Sequence, residues 1–458
     1  MNRRMFVKLG GGLALVPELL PQTLHGLERT VSPETSVHEP ARDLSVVARA
    51  DVVVCGAGPA GVAAAVSAAR KGAKTLLLEQ HGCLGGIWTA GLLSWLLDHA
   101  NKKGVMTEVS ASMAARGART VTAEGKPTNA FDVEVMKLFL EELCEAAGVE
   151  VWLHTRVAAA IKRERRLTHV ITESKSGREA VAGQVFIDAT GDGDLGALAG
   201  CGFEVGHPET QGMQPMSLIA LVAGISASDI RGFYNDHESQ PWALPKDKLR
   251  QAMEAGGTSP SYAKPSLFRV RDDLFILMAN HEYGVSGMDT RQLTHATLHA
   301  RKELNALIDG LRSTGGIWKT VRLVATAEQI GVREGRRLNG CYTVTADDLR
   351  EGRRFDDAVC RVTFGVDVHS VNPKKTKAIE AQTWRAKSYD IPLRALVAKN
   401  VEGMLMAGRC ISCDFLAHSS YRVTGNAVAL GEAAGRTAAV AALSNRLPSA
   451  VAFSEIAS

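Results

Sequence analysis

The chain has 458 residues, more than the ~250–300 at which a single hydrophobic core stops growing, so two lobes are expected. Hydrophobic residues make up 45% and charged residues 22%, which excludes general disorder. The net charge is only +4, and Arg3, Arg4 and Lys8 supply three of those charges, which excludes a nucleic-acid or anionic-membrane surface.

Residues 2–8 read Asn-Arg-Arg-Met-Phe-Val-Lys, and an apolar stretch runs from Leu9 to Val16. A paired arginine ahead of a short apolar run resembles a twin-arginine export signal, and the run is too short for a stable membrane span. The resemblance implies a periplasmic protein handed to the twin-arginine export machinery already folded; an ordinary basic N-terminus would leave it cytoplasmic. Residues 21–49, rich in Pro, Glu, Ser and Arg, read as a linker, so residues 1–49 form one segment outside the core.

The β-branched run at residues 51–55 leads straight into Gly56-Ala57-Gly58-Pro59-Ala60-Gly61. In G-x-G-x-x-G after a strand, Gly56 makes the tight turn, Gly58 lets backbone approach a pyrophosphate, and Gly61 lets the next helix pack close. Alanines fill that helix, Arg70 and Lys71 suit its C-terminus, and Gly72 can end it. A second strand, residues 75–78, delivers Glu79 where a ribose hydroxyl is expected; a carboxylate there disfavours a 2′-phosphate. The fingerprint alone leaves FAD and NAD both open, since each sets a pyrophosphate on a helix N-terminus.

Further segments resemble the FAD-dependent oxidoreductase family of the glutathione-reductase-like flavoprotein superfamily. Gly82-Cys83-Leu84-Gly85-Gly86 follows the ribose acid, where the family's glycine doublet runs along FAD. A helical stretch at residues 131–147 leads to a strand ending at Val157, which in the family meets the adenine, and a β-meander follows over 158–182. Asp188-Ala189-Thr190-Gly191-Asp192 resembles the segment that returns to the cofactor. Gly408 and Arg409 close a strand, and Thr424-Gly425-Asn426 opens a helix whose N-terminus the resemblance aims at the flavin. The resemblance implies an α/β fold: a Rossmann-like FAD-binding domain with parallel sheet, helices and a β-meander, plus a second α+β substrate lobe. FAD is then the expected cofactor, bound noncovalently, with a covalent link through Cys or His as the alternative.

No second G-x-G-x-x-G follows a strand, so one flavin face is expected to serve both half-reactions, with a small organic substrate and a separate electron acceptor. Residues 50–205 read as the first part of the FAD domain, 206–320 as a substrate-covering lobe and 321–458 as its completion. Within residues 414–422, His418 is expected to accept a proton or anchor substrate, and Arg422 to hold substrate or reduced-flavin charge. Tyr389 and Arg394 are secondary candidates; Arg336-Arg337 and Arg353-Arg354 read as solvated or ion-paired surface. Asp367 and His369 share a strand face, but two ligands make no metal site, and no metal is expected. Cys410 and Cys413 form C-x-x-C without a thioredoxin-like setting, which favours packing over redox chemistry. The expected activity is hydride transfer from substrate to flavin N5, in a dehydrogenase or oxidase. The alternative is a flavoprotein that uses FAD structurally or in a transfer or isomerisation.

Overall fold

A computed structural model describes residues 36–122, 124–236 and 241–457. The chain divides into two units at Asp43/Leu44, and the architecture that follows is that of the second, Leu44–Ser458. Arg3, Arg4 and the apolar run behind them lie outside the described residues.

The larger unit opens with β1 (Val46–Cys55), α1 (Pro59–Arg70) and β2 (Thr75–Leu78), followed by α2 (Val105–Ala115), α3 (Val133–Ala146) and β3 (Glu150–Trp152). A meander then runs through β4 (Arg156–Arg163), β5 (Arg166–Ser174) and β6 (Gly177–Asp188), and α4 (Asp194–Leu198) and the short β7 (Phe203–Glu204) complete this part. β1 begins before Asp51, correcting the linker boundary: Val46 pairs with Ala180 and Ala48 with Val181. Val46 and Val47 are apolar and β-branched yet exposed, so backbone pairing with β6 rather than burial holds the strand there.

Within the sheet the order is β3-β2-β1-β6-β5-β4, with β1, β2, β3 and β6 parallel and β4, β5 and β6 antiparallel in succession. Residues 52–55 of β1 are wholly buried, as a strand covered on both faces requires. Asp132 caps α3, its carboxylate accepting from the Glu134 and Val135 amides.

The second lobe is built on β8 (Ala220–Ala223), α5 (Ala243–Ala255), β9 (Ser266–Arg271), β10 (Leu274–Met278), α6 (Thr290–Ser313) and β11 (Arg322–Thr326). Its strands form an antiparallel sheet in the order β11-β8-β10-β9. Alternation divides the sheet between two clusters. Ala220, Val222, Leu267, Phe275 and Leu277 join Ala296, Ala300 and Leu304 of α6, whereas Ile219, Phe268, Val270 and Ile276 face Trp95 and Ala130 of the first lobe. The helix-side core extends to Ile330 and Val332, past residue 320.

The chain returns through β12 (Arg337–Leu338), α7 (Ala346–Glu351), β13 (Ala358–Val362), β14 (Tyr389–Pro392), β15 (Met404–Met406), α8 (Phe415–Tyr421) and α9 (Thr424–Leu443). β15 pairs in parallel with Phe186–Asp188 of β6, beyond the stretch that pairs with β5. α9 crosses α1 at backbone distance: a Cβ on Gly431 would fall 2.0 Å from the Ala60 carbonyl oxygen, and one on Gly435 2.1 Å from that of Ala64. Those two glycines let the helices touch, which fixes where the α9 N-terminus lies relative to the Gly56–Gly61 turn. No helix among the described residues is long and apolar enough to cross a membrane.

Candidate active site

Between the two lobes lies a cavity of about 760 Å³, reaching from Glu79 and Val157 at one end to Trp242, Lys246 and Tyr262 at the other. At the first end, Gly56 has φ +95°, and a Cβ there would meet the Ala189 carbonyl oxygen at 2.6 Å. A Cβ on Gly61 would lie 1.8 Å from the Gly56 oxygen, so Gly61 serves the packing of α1 on the turn. Gly58 differs: a Cβ there meets nothing within 4 Å, because it would project into the cavity.

Glu79 is buried, accepting from the amides of Ala57 at 2.7 Å and His81 at 2.9 Å, and it lines the cavity with Pro59, Ala60 and Gly86. Gly85 has φ +104° and makes the turn behind this wall. Ala189, Thr190 and Gly191 also line the cavity. The turn carrying them is tied by Asp188, which accepts from Thr190 N, Thr190 Oγ1 and Gly196 N. Burial raises its carboxyl to about 6 despite those bonds.

The middle of the cavity is bordered by Gly408, Arg409 and Thr424. Arg409 is fastened by Asp192 at 2.6 Å and by the carbonyls of Gly191 and Val332, so Asp192 acts by holding Arg409. Thr424 begins α9, and its Oγ1 is buried without a hydrogen-bond partner among the described residues. Gly425 is a packing position, where a Cβ would lie 2.5 Å from the Leu97 and Asp98 carbonyl oxygens, and Asn426 Nδ2 donates to the Tyr421 carbonyl.

These residues fit FAD. The open face at Gly58, the helix N-terminus behind it, the buried acid at the ribose position and an orphaned hydroxyl at the second helix N-terminus all border one cavity. Glycine doublet, turn and helix would hold the dinucleotide, and the positive end of α9 suits the charge that a reduced flavin gains.

Beyond them the second lobe supplies the far end. Trp95, Trp242 and Phe268 form an aromatic wall, with Trp95 and Phe268 centroids 4.9 Å apart and Trp95 and Trp242 5.2 Å apart. Opposite stands a polar cluster. Asp367 Oδ2 lies 3.2 Å from His369 Nε2, His369 Nδ1 lies 3.1 Å from His281 Nε2, and His281 Nδ1 lies 3.0 Å from the Tyr283 hydroxyl. Burial and the nearby Arg333 push His369 down to about 4, although Asp367 pulls the other way. Burial works to raise the Asp367 carboxyl, but His369, Arg422 and Arg333 outweigh it and hold it well below the usual range. The pair is therefore a carboxylate beside a neutral imidazole at neutral pH.

Gln214 fixes this pair. Its carbonyl oxygen accepts from the His369 amide and from Arg422 Nη2, both at 2.9 Å, and its amide donates to Ser419 Oγ. Arg422 lines the cavity and also donates to the Asp367 carbonyl at 2.7 Å. His418, expected to act on protons, is instead fully buried and absent from the cavity wall. Arg422 follows the last residue of α8 as its C-cap and reaches Gln214 and the Asp367 carbonyl, whereas His418 lies within the helix and is buried. Tyr389 is buried within β14 and Arg394 pairs with Asp357, both away from the cavity. Arg337 corrects the surface reading too, since it forms a buried ion pair with Glu334 at 2.6 Å. Cys410 and Cys413 are free and buried, and burial pushes the Cys413 thiol up to about 12. Glu282, His299 and Glu303 cluster outside the cavity, His299 hydrogen-bonded to Glu282 and Glu303 accepting from the Ser261 amide and hydroxyl.

Sequence reasoning missed Gln214, Arg333, Lys246 and the aromatic wall. The available signals were Trp95 and Trp242 in a chain with six tryptophans, and Arg333 in the Arg-Glu-Gly-Arg-Arg run.

Among solved structures, the chain is similar to a geranylgeranyl bacteriochlorophyll reductase-like protein from Thermoplasma acidophilum, with 14% identity over 87% of this chain and 80% of that one and a TM-score of 0.46. It is also similar to a flavin-dependent brominase, with 12% identity, 86% and 80% coverage and a TM-score of 0.45. A myxobacterial chondrochloren halogenase matches with 12% identity, 89% and 77% coverage and a TM-score of 0.44. No curated protein matches the chain. Residues 51–458 match the family described as FAD dependent oxidoreductase, so this chain, whose cavity fits the dinucleotide from Glu79 to Thr424, belongs to that family of flavin enzymes.

Proposed function

We propose that the protein is an exported dehydrogenase or oxidase that takes a hydride from a small organic molecule and uses the Asp367–His369 pair to receive the accompanying proton. FAD, when bound, supplies the hydride acceptor at N5. The observation carrying this reading is that Asp367, His369 and Arg422 border the same cavity as Thr424 and Arg409. The substrate C–H bond breaks with both electrons leaving as hydride, and the hydroxyl or amine proton passes to Asp367 Oδ1. His369 Nε2 meanwhile holds Oδ2. Arg409 and the α9 N-terminus, both on the cavity wall, would stabilise the negative charge that a bound flavin gains on reduction.

Absorption spectra of the purified protein followed by anaerobic addition of pooled alcohols, amines and hydroxy acids test this reading. Flavin bands that bleach with one pool support it, and bands that never bleach point to non-redox use of FAD. Export rests on the Arg3-Arg4 signal alone; replacing both with lysine is expected to retain the protein in the cytoplasm, and unchanged secretion would remove that part.

A further inference from the structure

The cavity's far end is more cationic than its partners explain. Arg333, Arg422 and Lys246 line it, against the single carboxylate of Asp367. By contrast, the arginines bordering the dinucleotide half are matched, Arg409 with Asp192 and Arg336 with Asp194. Among the described residues neither Arg333 nor Lys246 has a carboxylate within 4 Å. Arg333 is held by neutral groups: Nη1 donates to the Pro215 carbonyl at 2.6 Å and Ser217 Oγ at 2.9 Å, while Nη2 has only the Met278 sulfur at 3.8 Å. Arg422 has a side chain only 10% exposed, and its Nε has no hydrogen-bond partner among the described residues. Lys246 lies over the Trp242 ring, its Nζ 5.0 Å from the centroid. Cations kept half-buried without counter-charges are costly, and a ligand that supplies the missing charge recovers that cost.

We propose that the substrate of this site is a carboxylate-bearing molecule with a flat apolar body, its carboxylate bound by Arg333 with Lys246 as second cation and its body against Trp95, Trp242 and Phe268. This deepens the oxidoreductase reading of the same cavity and rests on it. Guanidinium binds carboxylate through two parallel hydrogen bonds, and the Nη2 edge of Arg333 retains the donors for such a fork. The three aromatic rings provide the apolar surface that a charged head alone would not need. Neutralising Arg333 would also weaken one of the charges that hold Asp367 ionised, so an anionic substrate makes Asp367 a better proton acceptor than it is in the empty cavity.

The test uses FAD-loaded protein and three probe pairs: benzoate, phenylacetate and indole-3-acetate, each against its primary amide. Binding is read without turnover, from flavin difference spectra and calorimetry. At least one acid is expected to bind tenfold or more tightly than its amide, and the preference should collapse in Arg333→Gln and shrink in Lys246→Met. FAD content, measured in each variant, confirms that it is folded; Lys246→Met serves if Arg333→Gln does not accumulate. Amides binding as tightly as acids, no binding by either member of any pair, or an undiminished preference in both variants would overturn the proposal. Acids that bind selectively while no compound ever bleaches the flavin would sink the hydride-transfer reading and leave the anion site standing.

Discussion

Asp367 Oδ2 and His369 Nε2 lie 3.2 Å apart, on a loop that Gln214 ties to α8 through the His369 amide and Ser419. Replacing Asp367 with Asn keeps the shape but removes the acceptor charge. Rapid-mixing measurement of flavin reduction should then show a loss of roughly 10²–10⁴-fold, the range of a single general base, with FAD still bound. A loss below tenfold would show that the proton goes elsewhere.

His418 tests the same assignment from the other side. Its ring is fully buried, and neither nitrogen has a well-formed hydrogen bond among the described residues. His418→Leu is expected to keep kcat/KM within about tenfold, because no acid–base role is removed, and to leave the melting temperature unchanged or raised. A collapse of activity with intact FAD and unchanged melting would return His418 to the chemistry.

Two glycines should fail in opposite ways. Gly58→Ala places its Cβ in the open cavity, so the apoprotein should melt as wild type while FAD affinity, measured by fluorescence titration, falls tenfold or more. Gly431→Ala drives a Cβ to 2.0 Å from the Ala60 oxygen, and denaturant unfolding should show about 1–3 kcal/mol of lost stability before any cofactor is added. Equal stability loss in both would contradict the geometry.

The anion site should respond to pH through Lys246. Burial lowers its ammonium to about 8, against the pull of Asp367 and together with the push of Lys264. Below that value the cation is present, and above it the cation is lost, so acid probes should bind progressively less well between pH 7 and 9. Calorimetry on Lys246→Met should show that slope flattened; an identical slope would assign the titration to another group.

The Glu334–Arg337 pair predicts a stability effect without chemistry. Arg337→Met leaves a buried carboxylate unpaired and should cost about 3–5 kcal/mol in urea unfolding, much of it recovered when Glu334→Leu is added. A cost near zero would mean that Glu334 takes up a proton and remains buried at little expense.

How much of this was legible follows the distance over which each contact acts. Residues 51–79 announced a strand, glycine turn, helix, strand and acid because each of those signals operates between near neighbours, and the resemblance extended the same logic to residues 188–192 and 408–426. The start of β1 at Val46 was not read, since Val46-Val47-Ala48 follows a polar stretch and is cut from residues 51–55 by Arg49, and it is pairing with Ala180 and Val181 that joins it to the strand. His418 and Arg422 looked equivalent in sequence, but Arg422 stands just past the end of α8 and lines the cavity, while His418 within the helix is buried in the core.

By itself, then, the sequence determined a dinucleotide-binding half, because turn geometry, close backbone approach and a helix terminus are written in consecutive residues, and the family resemblance of the later segments chose FAD over NAD. Tertiary structure alone decided the substrate end. Asp367, Arg333, Lys246 and Trp95 come from separate stretches of chain, and they share a cavity only because two lobes fold against each other and leave those charges half-buried between them.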